Sequence, residues 1–242
     1  MTTPPPPPWS RDWAYFFDVD GTLADLARAP TAVRVSRELR RLLERLHEQT
    51  DGAVALISGR QIGDIDGLFP GVRFAVAGQH GVERRNAEGV VTRHAFPTER
   101  FEKAYRRLAD VVARRPGLLL EHKRLSLALH YRRAPRLAGY AHRLARFALR
   151  LAGARQFTIQ TGKRVVEVKP AGRDKGMAVV EFMAEAPFRG RTAVFIGDDA
   201  TDEFGFATVN RLKGHSIKVG LGPTVARWRL RDVRAVQGWL AT

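Results

Sequence analysis

Short apolar runs recur along the chain, and most of them stop abruptly at small or polar residues. Continuous apolar runs of this length are typical of strands that are buried on both faces of a parallel sheet. Strands of this kind are predicted over residues 13–17, 53–57, 74–77, 192–196 and 216–219. Apolar residues at helical spacing predict amphipathic helices over 35–48 and 233–240, which would cover such a sheet.

Two further elements are predicted in the same part of the chain. The pattern over residues 82–93 predicts a β-hairpin with its turn at 86–89, because turn-forming residues there separate two short segments. A helix is predicted after Gly176, with Met177, Val179 and Val180 facing inward.

Residues 96–171 have a different pattern, in which each predicted strand alternates between polar and apolar residues. Alternation is typical of antiparallel sheets that have one buried and one solvent-exposed face. The predicted order is a helix from 97, strands over 118–121 and 125–132, a helix over 137–151, and strands over 157–160 and 164–169 around a turn at 161–163.

The chain is therefore predicted to be an α/β protein. Its Rossmann-like parallel-sheet core would take residues 13–95 and 172–242, and an α+β cap domain, an antiparallel sheet plus two helices over 96–171, would be inserted in it. Residues 1–12 are expected to form a flexible tail, because Pro4 to Pro8 favour an extended chain that does not join the core.

The composition of the chain excludes some kinds of site and some classes of protein. The absence of cysteine excludes disulfides and thiolate metal sites. No apolar run reaches the ~20 residues that span a bilayer, and the first residues lack the basic and apolar regions of a secretory signal. We therefore expect a cytoplasmic protein without a membrane partner.

A net charge of +16 leaves three interpretations open. The positive charge could bind nucleic acid, could attract anionic substrates, or could reflect an arginine-rich composition on solvated faces. The basic residues are spread along the chain rather than grouped in one run, and no nucleic-acid motif is present. We therefore expect no nucleic-acid partner.

The first predicted strand ends in two aspartates, Asp18 and Asp20, followed by Gly21 and Thr22. Ligands bind at the carboxyl ends of strands in open α/β sheets, and two carboxylates directed at one spot need a cation between them. Mg²⁺ suits carboxylate oxygens, and Thr22 offers a hydroxyl and an N–H to an anion. The alternative is a solvated turn.

The next two strands also end in residues that can bind a substrate. Ser58 and Gly59 follow the second strand, where a hydroxyl and close backbone approach suit a phosphoryl oxygen. Ser58 could equally cap the following helix. His80 follows the third strand and could contact substrate or serve a structural role.

Two later segments complete this set of polar loops. Lys175 lies near a predicted helix start, where it could neutralise the aspartates, although a capping turn with a solvated lysine is the alternative. The strand over 192–196 is followed by Asp198, Asp199 and Asp202, and so much negative charge near Asp18 favours a bound metal.

Polar side chains recur on one face of the predicted cap sheet. Mixed acceptors and cations on such a face suit sugar hydroxyls and a phosphate, and the alternative is an ordinary solvated face. The residues of this predicted face are Glu121, Lys123, Ser126, His130, Arg132, Glu167 and Lys169.

Four segments, in this order, resemble the haloacid dehalogenase superfamily: Asp18-x-Asp20-Gly-Thr, Ser58, Lys175 and Gly197-Asp198-Asp199-x-x-Asp202. The predicted insertion lies between the second and third of them, where that superfamily carries its type C2 cap. Within the superfamily, the segments 78–81, 121–132, 166–170 and 197–203 resemble the trehalose-6-phosphate phosphatases.

This resemblance implies a Mg²⁺-dependent phosphatase of trehalose 6-phosphate. It implies that Asp18 attacks phosphorus to form an aspartyl-phosphate, and that Asp20 protonates the leaving sugar oxygen and then activates water. The implied metal ligands are an Asp18 side-chain oxygen, the Asp20 carbonyl and Asp198, with Asp199 and Asp202 as acidic support.

The resemblance also implies which residues bind the substrate. The phosphoryl oxygens would be bound by Ser58, Thr22, Gly59, Arg60 and Lys175. The sugar would be bound by His80, Glu121, Lys123, His130, Arg132, Glu167 and Lys169. We expect a monomer whose partner is a small sugar phosphate.

Three alternatives to this activity stay open at this point. A phosphomutase would also use a second aspartate, but it would pass phosphate to another sugar rather than to water. A phosphatase of sucrose 6-phosphate or of mannosyl-3-phosphoglycerate would share the core and differ in the cap. A basic nucleic-acid-binding protein that keeps a phosphatase-like core would show binding with a steep salt dependence.

Overall fold

The computed structural model describes residues 5–27, 32–93, 98–123 and 126–242. The chain divides into two compact units: a core unit, Met1–Arg93 with Asp174–Thr242, and an inserted unit, His94–Arg173. Each boundary of the inserted unit lies two residues outside the expected 96 and 171. None of the helices in the described ranges combines the length and apolar character needed to cross a membrane.

The strands are β1 (Trp13–Phe17), β2 (Val54–Ile57), β3 (Ala75–Gly78), β4 (Glu83–Arg85), β5 (Val91–Arg93), β6 (Leu119–His122), β7 (Leu127–His130), β8 (Phe157–Gly162), β9 (Val165–Pro170), β10 (Thr192–Gly197), β11 (His215–Val219) and β12 (Trp228–Leu230). The α-helices are α1 (Arg37–Gln49), α2 (Ile62–Leu68), α3 (Thr98–Val112), α4 (Ala138–Ala152), α5 (Lys175–Met183), α6 (Glu203–Arg211) and α7 (Val233–Ala241).

The core unit contains one eight-stranded sheet in the order β12-β11-β10-β1-β2-β3-β4-β5. Strands β12 to β3 in this order are parallel, and the hairpin β4–β5 adds an antiparallel edge. All five strands predicted from apolar runs are confirmed, with bounds that differ by at most one residue. The predicted hairpin is also confirmed, whereas β12 was not predicted.

Helices cover both faces of this sheet, which explains why its strands are apolar without alternation. Along β1, Tyr15 and Phe17 join a cluster with residues of α1, α2 and α7, and Phe16 joins a second cluster with residues of α5 and α6. Helix α1 begins after Ser36, whose hydroxyl accepts a hydrogen bond from the Leu39 N–H at 3.1 Å.

The inward face of α5 differs from the prediction. Met177 and Val180 are 41% and 52% exposed, so only Val179 of the three expected residues is buried. The buried stripe instead includes Lys175 and Gly176 at the helix start. A Cβ on Gly176 would lie 2.5 Å from the Phe204 carbonyl oxygen, so glycine allows α5 to approach α6 closely on this side.

The described part of the proline-rich segment packs against the core unit, so the expectation of a free tail is wrong for residues 5–12. The Trp239 indole N–H donates to the Pro7 carbonyl oxygen at 2.8 Å, and Trp9 packs against the core cluster. The Tyr15 hydroxyl donates to the Ser10 carbonyl at 2.7 Å. These contacts give the segment hydrogen-bond donors and apolar partners that proline composition does not reveal. Residues 1–4 lie outside the described ranges.

The inserted unit is an antiparallel sheet in the order β6-β7-β9-β8, and α3 and α4 pack on its apolar face. The predicted order of helices and strands is confirmed. The second hairpin turns at Lys163 and Arg164 rather than at 161–163, because Gly162 pairs with Val165 and Arg164 adopts φ +64°. A two-residue turn with a positive φ matches the twist of paired strands.

Candidate active site

Adjacent parallel strands bring two aspartates to the same edge of the core sheet. Phe17 of β1 is in register with Ile196 of β10, and the Asp18 N–H donates to the Ile196 carbonyl at 2.9 Å. Asp198 lies one residue beyond the end of β10. One carboxylate oxygen from each of Asp18, Asp198 and Asp202 lies within 4.8 Å of the others, and all three residues are buried.

Lys175 bridges two of these carboxylates. Its Nζ donates to Asp18 Oδ1 at 2.7 Å and to Asp202 Oδ1 at 2.6 Å. Lys175 is the first residue of α5, and the Asp174 side chain caps that helix by accepting a hydrogen bond from the Met177 N–H. The solvated-lysine alternative is therefore wrong, since Lys175 is only 3% exposed.

Asp202 holds the loop that carries Asp198. Its Oδ2 accepts hydrogen bonds from the Asp198 and Asp199 N–H groups at 2.9 and 2.8 Å. A Cβ on Gly197 would lie 2.4 Å from Asp202 Cγ, so glycine is required for this close approach. The Asp199 side chain instead caps a short 3₁₀ turn and stays outside the carboxylate cluster.

The electrostatics of the cluster favour a cation. Burial raises the pKa of Asp18 well above its usual range; the charge of Lys175 opposes this rise, and the charges of Asp202 and Asp198 add to it. Burial by itself would lower the pKa of Lys175, but the two carboxylates outweigh burial and raise that pKa. Within the described ranges, the contacts of Lys175 thus offset two of the three carboxylates.

The residues present fit a divalent metal of the Mg²⁺ class. The cluster offers carboxylate oxygens, the ligands that such hard cations prefer. Gly21 has φ +96°, and a Cβ there would lie 2.3 Å from Asp198 Oδ2, so glycine keeps clear the space beside this carboxylate. The Asp20 side chain does not belong to the cluster.

Asp20 is instead held by Arg60. The guanidinium donates from Nε to Asp20 Oδ2 at 2.6 Å and from Nη2 to Oδ1 at 2.7 Å. Paired donors of this kind fix a carboxylate in both position and orientation. Arg60 was expected to bind the phosphate. Its guanidinium instead binds Asp20, the residue expected to act as acid and base.

The loop after β2 brings Ser58, Gly59 and Arg60 to the same edge of the sheet. Ser58 is 1% exposed, and its hydroxyl accepts a hydrogen bond from the Arg60 N–H at 3.2 Å. The alternative in which Ser58 caps the next helix is wrong, because α2 begins at Ile62. The Ile62 N–H is bound instead by Glu83 Oε1 at 2.8 Å.

Thr22 lies in the loop after β1 and is fully buried. Its hydroxyl has no hydrogen-bond partner within the described part of the chain. Buried hydroxyls are normally satisfied, so this one is available to a ligand oxygen. His80 lies in a short 3₁₀ turn after β3, and its side chain is outside the described structure.

Within the inserted unit, the register aligns the expected polar residues on one face. Glu121 and Glu167 both pair with Ala128 across β7. Glu121 Oε2 and His130 Nε2 are 2.7 Å apart, and Lys123 Nζ lies 3.5 Å from Glu167 Oε1. Burial would raise the pKa of Glu121, but the His130 hydrogen bond and the Lys123 charge lower it below its usual value.

The expectation that this face is solvent-exposed is wrong for three of its members. Ser126, Glu167 and Lys169 are buried. The Ser126 hydroxyl donates to Glu167 Oε1, and Lys169 Nζ donates to the Arg173 carbonyl at 2.7 Å, so these polar groups have partners within the unit. Arg132 lies beyond the end of β7, in the following turn, rather than on the strand.

Comparison with known proteins identifies the family. The family model described as Trehalose-phosphatase matches residues 16–233. The chain is 45% identical over 234 residues to the trehalose-6-phosphate phosphatase of Escherichia coli K12, covering 97% of this chain and 87% of that protein. The chain belongs to the trehalose-phosphatase family. The resemblance stated from the four segments is thereby confirmed.

A second curated relative agrees with membership of the trehalose-phosphatase family, and a solved structure supports the fold. A probable trehalose-phosphate phosphatase of Sinorhizobium fredii is 45% identical over 209 residues, covering 86% of this chain and 78% of that protein. The solved C-terminal domain of trehalose-6-phosphate phosphatase from C. albicans has a TM-score of 0.84 at 23% identity, covering 96% of this chain and 91% of that one. This structural likeness confirms the predicted α/β fold.

Sequence reasoning missed three contacts that support the site. Arg60 was not expected on Asp20, Glu83 was not expected at the start of α2, and Lys218 was not singled out at all. Lys218 Nζ donates to the Asp198 carbonyl oxygen at 2.5 Å and is 4% exposed. A lysine inside a strand otherwise predicted as buried was the available signal, because lysine is rarely buried without a specific partner.

Proposed function

We propose that this protein is a Mg²⁺-dependent phosphatase that hydrolyses trehalose 6-phosphate to trehalose and inorganic phosphate. The observation that carries the proposal is the Asp18–Lys175–Asp202 bridge with Asp198 beside it, in a chain of the trehalose-phosphatase family. Such a site presents a carboxylate nucleophile to phosphorus in a cluster suited to a cation.

Asp18 is the proposed nucleophile. Lys175 holds its Oδ1, which leaves the other carboxylate oxygen to attack phosphorus and displace the sugar oxygen. The product of this step is an aspartyl-phosphate, and water then attacks its phosphorus to release phosphate and restore the carboxylate. Lys175 also offsets negative charge as the phosphoryl group transfers.

Asp20 is the proposed acid and base. It would give a proton to the leaving sugar oxygen and later take one from the attacking water. In the paired geometry each of its oxygens accepts one hydrogen bond from Arg60, which leaves a second lone pair on each oxygen for a proton. Ser58, Thr22 and Gly59 are proposed to bind the phosphoryl oxygens.

Asp18, Asp198 and the Asp20 carbonyl are proposed to hold Mg²⁺, with Asp202 as support through its hydrogen bonds to the 198–199 backbone. A bound Mg²⁺ would offset the repulsion between the anionic nucleophile and the phosphate. Asp199 would act only through the loop that it caps.

The inserted unit is proposed to be the substrate-specificity cap. Its polar face pairs acceptors with cations, as in Glu121 with His130 and Glu167 with Lys123, and such groups suit sugar hydroxyls. The other residues proposed to bind the sugar are Arg132, Lys169 and His80.

A phosphate-release screen tests this function. Purified protein would be assayed with trehalose 6-phosphate, sucrose 6-phosphate, mannosyl-3-phosphoglycerate and glucose 6-phosphate, each with Mg²⁺ and with EDTA. We expect trehalose 6-phosphate to give the highest kcat/KM, with turnover lost in EDTA. A preference for another ester would overturn the substrate assignment.

The Asp18→Asn variant is the matched control for the mechanism. It keeps the size of the side chain but removes the nucleophilic carboxylate, so we expect a loss of about 10⁴-fold or more in kcat, as for other enzymes that lose their nucleophile. Turnover close to that of the wild type would reject the proposed intermediate.

A further inference from the structure

Lys218 is a buried cation that the proposed reaction does not use. It lies in β11, next to β10, where it is in register with Gly197, the residue before Asp198. Its neighbours Ile217 and Val219 point into the core cluster below the sheet, so Lys218 points to the opposite face. Its Nζ donates to the Asp198 carbonyl oxygen at 2.5 Å.

Burial of the Lys218 ammonium group costs free energy, because the group loses its hydration. The sheet face to which Lys218 points also carries the apolar cluster that includes Phe195 and Phe206, and a buried apolar side chain would have no ammonium group to desolvate. The hydrogen bond that Lys218 Nζ donates goes to the Asp198 carbonyl oxygen. The side chain is thus directed at one backbone group of the candidate metal loop.

The two buried lysines contact different residues of the acidic cluster. Lys175 contacts the carboxylates of Asp18 and Asp202, and Lys218 contacts the residue that carries the third carboxylate. Asp202 holds the Asp198 N–H, while Lys218 holds the Asp198 carbonyl. The peptide groups on both sides of the Asp198 side chain are therefore fixed by buried charged groups.

We propose that Lys218 is a positioning residue for the divalent metal: by holding the Asp198 carbonyl, it fixes the direction of the Asp198 carboxylate and so determines metal affinity. This inference rests on the proposed function in placing Mg²⁺ at Asp198. Partners that orient a metal ligand through a hydrogen bond typically change metal affinity or activity about 10- to 100-fold when they are removed.

The test is the metal affinity of Lys218→Met, which keeps the buried stem and removes the donor. Mg²⁺ binding to the full chain would be measured by titration calorimetry without substrate. We expect the Mg²⁺ dissociation constant to rise about 10- to 100-fold. Lys213→Met is the matched control, because it removes an exposed lysine from the same unit, and its dissociation constant should equal that of the wild type.

A second readout separates positioning from general damage. If Lys218 acts through the metal, Lys218→Met should lose activity at low Mg²⁺ and recover most of its kcat at saturating Mg²⁺, with KM for the phosphate ester within about twofold of the wild type. An unchanged or tighter Mg²⁺ dissociation constant in the folded variant would overturn the proposal.

Two further situations need their own measurement: a Lys218→Met variant that does not fold, and a wild-type protein that lacks the proposed activity. If Lys218→Met does not fold, the wild-type protein labelled with ¹⁵N-lysine is titrated with Mg²⁺ instead. The Lys218 ammonium resonance should shift, and the dissociation constant fitted to this shift should equal the one from calorimetry. A resonance that does not respond would reject the proposal. If the wild-type protein hydrolyses none of the sugar phosphates, the proposed function fails, but the calorimetric comparison still decides the role of Lys218.

Discussion

Both carboxylate oxygens of Asp20 accept a hydrogen bond from the guanidinium of Arg60, at 2.6 and 2.7 Å. The two residues come from different loops, one after β1 and one after β2. The loop of Arg60 is itself held by the turn after β3 and by β4, since the Gln79 N–H donates to the Arg60 carbonyl at 2.9 Å and Glu83 of β4 accepts from the Ile62 N–H. The hairpin edge of the sheet thereby supports the proposed acid and base.

This relationship predicts that Arg60→Lys lowers kcat. Lysine keeps the positive charge but cannot bind both oxygens of Asp20 in a fixed plane. Small misplacements of a catalytic group cost up to about 10²-fold, and we expect a loss of about 10-fold in kcat here. Steady-state kinetics with trehalose 6-phosphate would measure it, with the exposed Arg41→Lys as control. Equal kcat in the two variants would show that the pair does not orient Asp20.

Gly21→Ala should strongly weaken metal binding with little further loss of stability. Any Cβ at this position would lie 2.3 Å from Asp198 Oδ2 and displace that carboxylate. Gly89→Ala is the matched control, because Gly89 also has a positive φ, +86°, but has nothing within 4 Å of a Cβ. Both variants carry the backbone strain of roughly 1–2 kcal/mol, so only the metal affinity should differ.

Calorimetric titration with Mg²⁺ would compare the two glycine variants. We expect a loss of affinity of about 100-fold or more for Gly21→Ala, by analogy with other changes that disturb metal ligands, and none for Gly89→Ala. Equal affinities would mean that Asp198 can move aside without leaving the metal.

Two histidines should make the metal-free protein less stable in mild acid. Burial lowers the pKa of His47 below the ordinary histidine value of 6.5, although the charge of Glu48 opposes the change. Burial and the charge of Arg227 lower the pKa of His215, whose ring lies 4.5 Å from that of Trp13. The unfolded chain therefore binds protons at a higher pH than the folded chain does.

The sign of the effect follows from linkage. The contribution of the two neutral histidines to the free energy of unfolding is fully present above pH 6.5, the ordinary pKa at which histidines of the unfolded chain titrate. This contribution is lost as the pH falls from 6.5 through the lower pKa values of the folded state. Urea unfolding at pH 7.5, 6.5 and 5.5 in EDTA would measure it. His47→Gln with His215→Gln should flatten the pH dependence relative to the wild type, and an unchanged slope would contradict the assignment.

Trp239→Phe should destabilise the protein by about 1 kcal/mol, the usual net contribution of a hydrogen bond, in addition to lost packing. The variant loses the donor to the Pro7 carbonyl. Trp228→Phe is the control, because the Trp228 N–H has no partner among the residues that the structure describes and the side chain packs against the same cluster. Urea unfolding should give the larger loss for Trp239→Phe; equal losses would show that the Pro7 contact contributes nothing.

Much of the core could be predicted from the sequence because its signals are local. A strand buried on both faces needs a continuous apolar run, and the polar residues that end such runs, as after Phe17 and Ile196, lie at one sheet edge once the strands are parallel. The same reasoning predicted the order of elements in the inserted unit from alternation along its strands. These patterns, with the resemblance carried by the four ordered segments, led to the expectation that Asp18, Asp198 and Lys175 meet.

Only the tertiary structure decided how the charges are paired. Sequence spacing could not separate Asp199 from Asp202, since their roles depend on backbone N–H groups and a lysine from another segment. It could not place Arg60 on Asp20 or Lys218 under Asp198, because those hydrogen bonds join strands and loops that are distant in the chain. The local sequence pattern determines which residues lie at the edge of the sheet. Which of them form hydrogen bonds with one another depends on distances of a few ångströms, and tertiary packing sets those distances.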